Sequence, residues 1–248
     1  MMSRVALITG ASRGIGAATA RVLAEDGFRV VVNYRSSATE ADEVVADIAA
    51  AGGQALAIRA DVTVGDDVAA MFGETEQRMG PVDVLVHNAL IPYDITSFAD
   101  LTWEQLGGKL DREVHAAFLL TKAVVPGMTA RGYGRLLYLT AEPSRHPRNG
   151  MINLGVSKAA MNSFVRYIAL ELAPHGITAN LVAPATVQGT SMNQKLTPEQ
   201  LHALGAAAPM GRLVKPDEIA KTLAFLASDD SGFTTGHYFP LDGGLTLD

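Results

Sequence analysis

Short runs of aliphatic and β-branched residues recur along the chain, separated by longer stretches in which apolar residues return every three or four positions. The runs at 5–9, 29–33, 55–59, 82–87, 135–140, 178–183 and 237–241 read as seven strands. Helical patterns lie between them at 15–26, 38–51, 102–131 and 153–173, and Thr63 is placed to cap a further one that reaches Met79. Gly27, Gly52-Gly53, Gly80-Pro81 and the turn at 174–176 stop these helices, and an interruption is expected at Gly107-Gly108. In the stretch 153–173, Val156, Ala159, Ala160, Ser163, Phe164, Tyr167, Ile168 and residues 170–172 form a broad apolar or small face. The segment 184–208 begins irregularly and contains a short helix opened by Thr197-Pro198, a length that suits a lid over a cleft; Pro216 starts a last helix. Strand and helix alternating over the whole of 1–248 predict one α/β domain with a parallel sheet covered on both faces.

The first strand runs into Thr9-Gly10-Ala11-Ser12-Arg13-Gly14-Ile15-Gly16, which opens the first helix. Gly10 permits a tight turn, Gly14 lets the backbone approach a pyrophosphate, and Gly16 lets helix and strand pack closely. The N–H groups of the helix start, with Ser12, Arg13 and Ile15 around them, then face the phosphates of a dinucleotide. An acidic residue at the end of the second strand would accept a ribose 2′-hydroxyl. This chain has Asn33-Tyr34-Arg35-Ser36-Ser37 there and no carboxylate. Arg35 with Arg13 suits a 2′-phosphate, so NADP(H) is the expected cofactor, with Asn33 and Ser36 beside it.

Composition removes several alternatives. A chain of 248 residues, 48% hydrophobic and 19% charged, can bury a large core. Without cysteine there are no disulfides, thiolate nucleophiles or cysteine-ligated metals, and the six histidines show no ligand spacing, so no metal site is expected. A net charge of −6 argues against nucleic acid and anionic membranes as partners. The opening residues have no signal-peptide core and no run approaches a membrane span, so a cytoplasmic protein is expected.

Thr9 to Gly16, Asp61-Val62, Asn88-Ala89, Ser157-Lys158-Ala159, Pro184 and Leu241-Asp242-Gly243-Gly244 together resemble the short-chain dehydrogenases/reductases, over essentially the whole chain. In detail the sequence is similar to the 3-ketoacyl reductase branch. The resemblance implies a Rossmann-like, doubly wound sheet and a small-molecule or acyl-thioester substrate. It also implies a tetramer formed through the helices matching 102–131 and 153–173. It further implies adenine contacts from Asp61 and Val62, contacts beside the ribose from Asn88 and Ala89, and neighbours of the nicotinamide amide in Pro184, Val187 and Thr190. Ala185 stands where the family usually has glycine, and the lid entry is one residue longer.

Departures from the family pattern concentrate in the proton-transfer set. Its tyrosine, four residues before Lys158, falls on Leu154; its serine falls on Ala141 and its helix asparagine on Glu113. His87-Asn88-Ala89-Leu90 stands where two asparagines, alanine and glycine are common. Loss of a positioned acid costs on the order of 10²–10⁴ in rate and loss of a preorganised donor about 10²–10³. Lys158 remains to bind ribose hydroxyls, and Glu113 is placed to pair with it. Tyr93, Glu142 and His146 follow strands four and five, at the carboxyl ends where ligands bind in open α/β sheets, and are candidate substitutes for the missing acid. Arg145, His146 and Arg148 form a basic group that could meet an anionic substrate or an acidic carrier. Three readings follow: an NADP-dependent ketoreductase-like oxidoreductase with water or a substituted side chain as acid, a non-catalytic nucleotide-binding subunit paired with an active relative, or a non-redox enzyme on the same scaffold.

Overall fold

The computed structural model describes residues 3–190, 193 and 196–247; Ser191, Met192, Gln194 and Lys195 of the segment expected to form a lid lie outside the described residues. Seven parallel strands are ordered β3-β2-β1-β4-β5-β6-β7. They are β1 (Val5–Ile8), β2 (Arg29–Tyr34), β3 (Gln54–Arg59), β4 (Val82–His87), β5 (Gly134–Leu139), β6 (Ile177–Pro184) and β7 (Tyr238–Leu241), each within one residue of the expected bounds. Every position of β1, β5 and β6 is buried, the pattern of parallel strands with helices on both faces.

Successive strand residues serve two cores. Val5, Leu7, Leu85, Leu136 and Tyr138 face one side, where they meet α3 (Gly65–Met79), α4 (Trp103–Arg131) and α5 (Ile152–Leu172) through Met71, Leu120 and Val165. Ala6, Ile8, Val30, Val32 and Leu137 face the other, against Leu23 of α1 (Gly14–Glu25), Val44 of α2 (Ala38–Ala50) and Leu223 of α7 (Pro216–Ala227). The chain starts at β1, winds outward to β3 and returns to β4 on the opposite side of β1. At that switch point the carboxyl ends of β1 and β4 diverge and leave a crevice.

Three local expectations change. Thr63 does not cap α3: its N–H and hydroxyl donate to Asp61 Oδ1 at 2.9 and 2.7 Å, and Val64 takes the N-cap position. The helix at Gly107-Gly108 is unbroken, because α4 is nucleated by a capping box between Thr102 and Gln105 and its later turns are buried against the sheet. A Cβ on Gly107 would stand 3.1 Å from the Trp103 ring, so the small residue lets the indole lie on the helix. The apolar face of α5 is only partly buried, with Val156, Tyr167 and Leu170 exposed. The turn expected at 174–176 takes the form of a 3₁₀ turn at Ala173–His175, and a second one at Glu142–Ser144 has no counterpart in the sequence pattern. The helix α6 (Pro198–Ala206) starts where expected, capped by Thr197 and Gln200 with Pro198 in its first turn. Among the described residues no helix is long and apolar enough to cross a membrane, and no group of three or more His, Asp or Glu is placed to hold a metal ion.

Candidate active site

The glycine loop is shaped by close approaches. Gly10 has φ +61°, and a Cβ there would stand 2.8 Å from Ala89 Cα; a Cβ on Gly16 would stand 2.6 Å from both Asn88 Nδ2 and Gly10 O. Side chains therefore cannot replace hydrogen at either position without moving backbone. Asn88 Nδ2 donates to Thr9 O and Gly10 O at 2.9 and 3.0 Å, while the Asn88 and Ala89 N–H groups donate to Thr9 Oγ1. Four hydrogen bonds thus tie the end of β4 to the loop. Arg13 occupies the N-cap of α1 with no side-chain cap, and no acid stands in the first turn. The first N–H groups of α1 are left for an anion, an arrangement that fits a pyrophosphate.

Other predicted cofactor residues gather around this loop. Asn33 is buried, its Oδ1 accepting from Gly10 N at 3.2 Å and its Nδ2 donating to Ala60 O at 3.1 Å, so its amide braces the loop rather than lying open to a ligand. Arg35 and Ser36 are exposed beyond β2, with Arg35 Nη1 3.7 Å from Asp61 Oδ2. Hydrogen bonds from Thr63 and the charge of Arg35 outweigh burial and hold the Asp61 carboxyl below its usual range. Val62 is buried beside it, and Ser12 and Ile15 are half-buried in the loop. Across the crevice, Pro184 ends β6, Val187 bridges to Val214, and a Cβ on Gly14 would stand 3.7 Å from Thr190 Cγ2. The segment after β6 therefore reaches the glycine loop.

Beneath the crevice lies a buried group of charges. Glu113 on α4 is fully buried and receives two ammonium groups. Lys109, one turn earlier on the same helix, donates to Oε2, and Lys158 on α5 stands 2.6 Å from Oε1, a contact of charge without the alignment of a hydrogen bond. Lys109 also donates to Ile91 O at 2.8 Å, and Lys158 to Leu139 O at 2.6 Å. Burial would raise the Glu113 carboxyl, but Lys158 and then Lys109 overcome it and hold it at about 2. Burial lowers Lys109 to about 8, with Glu113 opposing the shift and Lys158 adding to it. His87, at the end of β4, is fully buried; burial first, then Lys158, outweigh Glu113 and bring it to about 4, so its ring is neutral at pH 7. Nδ1 lies 3.4 Å from Thr9 Oγ1, and Nε2 has no partner among the described residues.

The expected pairing of Glu113 with Lys158 is present, but Lys109 and His87 were not among the candidates raised from the sequence. The available signal was the four-residue spacing of Lys109 and Glu113 on an otherwise apolar helix face. Leu154, one turn before Lys158, is 6% exposed and brings no proton. Tyr93 is half-buried in the loop after β4, where burial raises its phenol; the Lys109 ammonium lies 5.9 Å from its ring centre. Glu142 and His146 belong to a separate group. Glu142 is buried and paired with Arg148 at 2.7 Å, His146 N–H donates to Glu142 O at 3.1 Å, and Arg145 stacks 3.8 Å from the Tyr238 ring centre. Arg148 also walls a small open recess between Leu204 of α6, Thr186 and Leu245.

A doubly wound sheet with a glycine loop at its switch point and a lysine on the helix after β5 defines a dinucleotide-binding oxidoreductase scaffold. The chain belongs to the short-chain dehydrogenase/reductase family: residues 10–246 match the family model described as enoyl-(acyl carrier protein) reductase. It is 39% identical over 248 residues to a 3-oxoacyl-[acyl-carrier-protein] reductase of Synechocystis sp., covering 100% of this chain and 98% of the relative. An acetoacetyl-CoA reductase of Allochromatium vinosum is 36% identical over 249 residues, covering 99% and 100%. A crystal structure of an Agrobacterium tumefaciens protein assigned as a gluconate dehydrogenase superimposes with TM-score 0.92 at 30% identity, over 98% of this chain and 97% of that one.

Proposed function

We propose that the protein is an NADP(H)-dependent reductase of carbonyl compounds, with acyl thioesters as the first substrate class, working with a proton-transfer set unlike the family's. One observation carries this reading. The crevice keeps an uncapped α1 amino end and an exposed Arg35 above Asp61, while the buried charges beneath it form one group, Lys109, Glu113 and Lys158, with a neutral His87. Bound NADPH would supply hydride. Gly10, Ser12, Gly14, Ile15 and Gly16 hold its pyrophosphate, Arg13 and Arg35 its 2′-phosphate with Ser36 beside them, and Asn33 braces the loop from below. Asp61 and Val62 take the adenine, Asn88 and Ala89 the ribose edge, Lys158 the ribose hydroxyls, and Pro184, Val187 and Thr190 the nicotinamide amide. Tyr93 walls the substrate side; Arg148, paired with Glu142 in the loop that also carries His146, borders the small recess under α6.

Exposed Phe118 on α4 and Val156, Tyr167 and Leu170 on α5 support an oligomer through these helices, formed with copies of itself or with a related chain. The activity test follows NADPH absorbance with purified protein and a panel of β-ketoacyl thioesters, quinones and aromatic ketones; turnover is expected. No turnover, with increased activity of a co-expressed complete relative, would instead make the chain a non-catalytic subunit.

Nucleotide choice has its own test. Arg35→Ala removes a charged partner of the 2′-phosphate and leaves Asp61 unopposed next to it. Hydrogen bonds to a charged group contribute about 1.5–3 kcal/mol, so calorimetry should show NADPH binding weakened by roughly 10–100-fold. NADH binding should change by less than about threefold, since it lacks the phosphate. Equal losses for both nucleotides would remove the assignment of Arg35.

A further inference from the structure

The contact between Glu113 and Lys158 shows which faces of two helices meet. α4 follows β4 and α5 follows β5, and both strands are parallel, so both helices descend beside the sheet in the same direction from its carboxyl edge. Glu113 Oε1 and Lys158 Nζ stand 2.6 Å apart. Four residues earlier on either helix is about one turn, roughly 6 Å nearer the carboxyl edge and the crevice. On α5 that position is Leu154; on α4 it is Lys109. Lys109 therefore lies on the crevice side of Glu113, as Leu154 lies on the crevice side of Lys158.

Its ammonium is already engaged as an acid would be. Lys109 Nζ donates at 2.8 Å to a carbonyl oxygen, that of Ile91 in the loop after β4. A ketone or thioester-linked ketone would have to take the place of Ile91 O to receive this hydrogen bond.

We propose that Lys109 is the proton donor of the reduction, a role that rests on reading the crevice as a reductase site. As the substrate carbon gains hydride and its electron pair from reduced nicotinamide, the C=O double bond becomes single and the oxygen takes a proton from Lys109 Nζ. One N–H bond breaks and one O–H bond forms. The neutral amine stays hydrogen-bonded to Glu113 and regains a proton from solvent when product leaves. The charges favour this direction. Before transfer, one carboxylate is shared by two buried ammonium groups; afterwards Glu113 and Lys158 form a neutral pair, with no excess cation away from water. Lys109 is faced by Glu113 and Arg112 on α4, Lys158 on α5, His87 on β4 and the Tyr93 ring. Burial and this set hold it at about 8, protonated at pH 7 and still able to give its proton up.

Two measurements test the proposal. In the nucleotide-free protein at pH 8, a small aldehyde with cyanoborohydride should alkylate Lys109, read by peptide mass mapping, because a donor to a carbonyl must be reachable by one. An unmodified Lys109 beside modified Lys122, Lys215 and Lys221 would overturn it. In turnover, Lys109→Met should lower kcat by roughly 10² or more while the NADPH dissociation constant stays within threefold. Lys109→Arg, which keeps the charge of the cluster but does not yield its proton, should be equally slow. The wild-type rate should fall as pH rises through about 8. An active Lys109→Arg variant overturns the assignment and leaves the reductase reading intact. A wild-type chain that turns over nothing in the panel overturns that reading and the assignment with it.

Discussion

Glu113→Ala should destabilise the protein by about 3–5 kcal/mol, the range for removing one partner of a buried ion pair. For a chain of this size that is a fall in Tm of about 10 °C, measurable by calorimetry or circular dichroism. The effect is large because Glu113 is the carboxylate shared by two lysines whose further hydrogen-bond acceptors among the described residues are backbone carbonyls. Without it, two ammonium groups remain side by side in the core. Lys109→Met combined with Glu113→Gln should recover part of the loss, because a single ammonium with Leu139 O as acceptor is then left. A double variant as unstable as Glu113→Ala would mean that the three groups do not act as a unit. The acid side gives a second signature. The folded Glu113 carboxyl lies at about 2 against an ordinary 4.5, so its contribution is complete above about 4.5 and lost as pH falls toward 2. Stability measured between those limits should fall less steeply in Glu113→Gln than in the wild type.

What the sequence reveals divides by the range of the forces involved. Strand runs and the glycine loop are local patterns, and each strand lies within one residue of its expected place; β1, β5 and β6 are buried throughout and leave continuous apolar runs. The pairing of Glu113 with Lys158 was visible because Lys158 keeps the family pattern and Glu113 replaces the asparagine that the pattern places on the facing helix. Lys109 was not, because a lysine on a long helix looks like solvated surface; only packing against the loop at Ile91 and against α5 shows that it is 1% exposed. Asn33 shows the converse. Its place at the end of β2 suggested a ligand contact, and its amide is committed to Gly10 and Ala60. Glu142 and His146 follow β5 as expected, yet Arg148, six residues beyond Glu142 in the same loop, draws that carboxylate into a separate group. Side-chain partners across loops are set by tertiary contact, and no periodicity in the chain records them.

Leu154→Tyr with Ala141→Ser should raise carbonyl reduction by roughly 10²-fold or more, most clearly in a Lys109→Met background. Leu154 lies one turn before Lys158 on α5, so a phenol there would extend along the helix face toward the crevice with the Lys158 ammonium beneath it. Ala141 directly follows the last residues of β5, and a serine hydroxyl at that point would add a donor for the substrate oxygen. In the unmodified background two acids, the new phenol and the Lys109 ammonium, would compete for one substrate oxygen, and the gain should be smaller. In Lys109→Met the phenol is the sole donor of the two, and turnover lost with the lysine should return. Rescue there, with the pH limb near 8 abolished, would show that lysine and tyrosine are alternative donors reaching the same substrate atom from facing helices. A restored pair that stays inactive in both backgrounds, with NADPH still bound, would mean that the substrate pocket above α4 and α5 has been reshaped beyond the proton-transfer set.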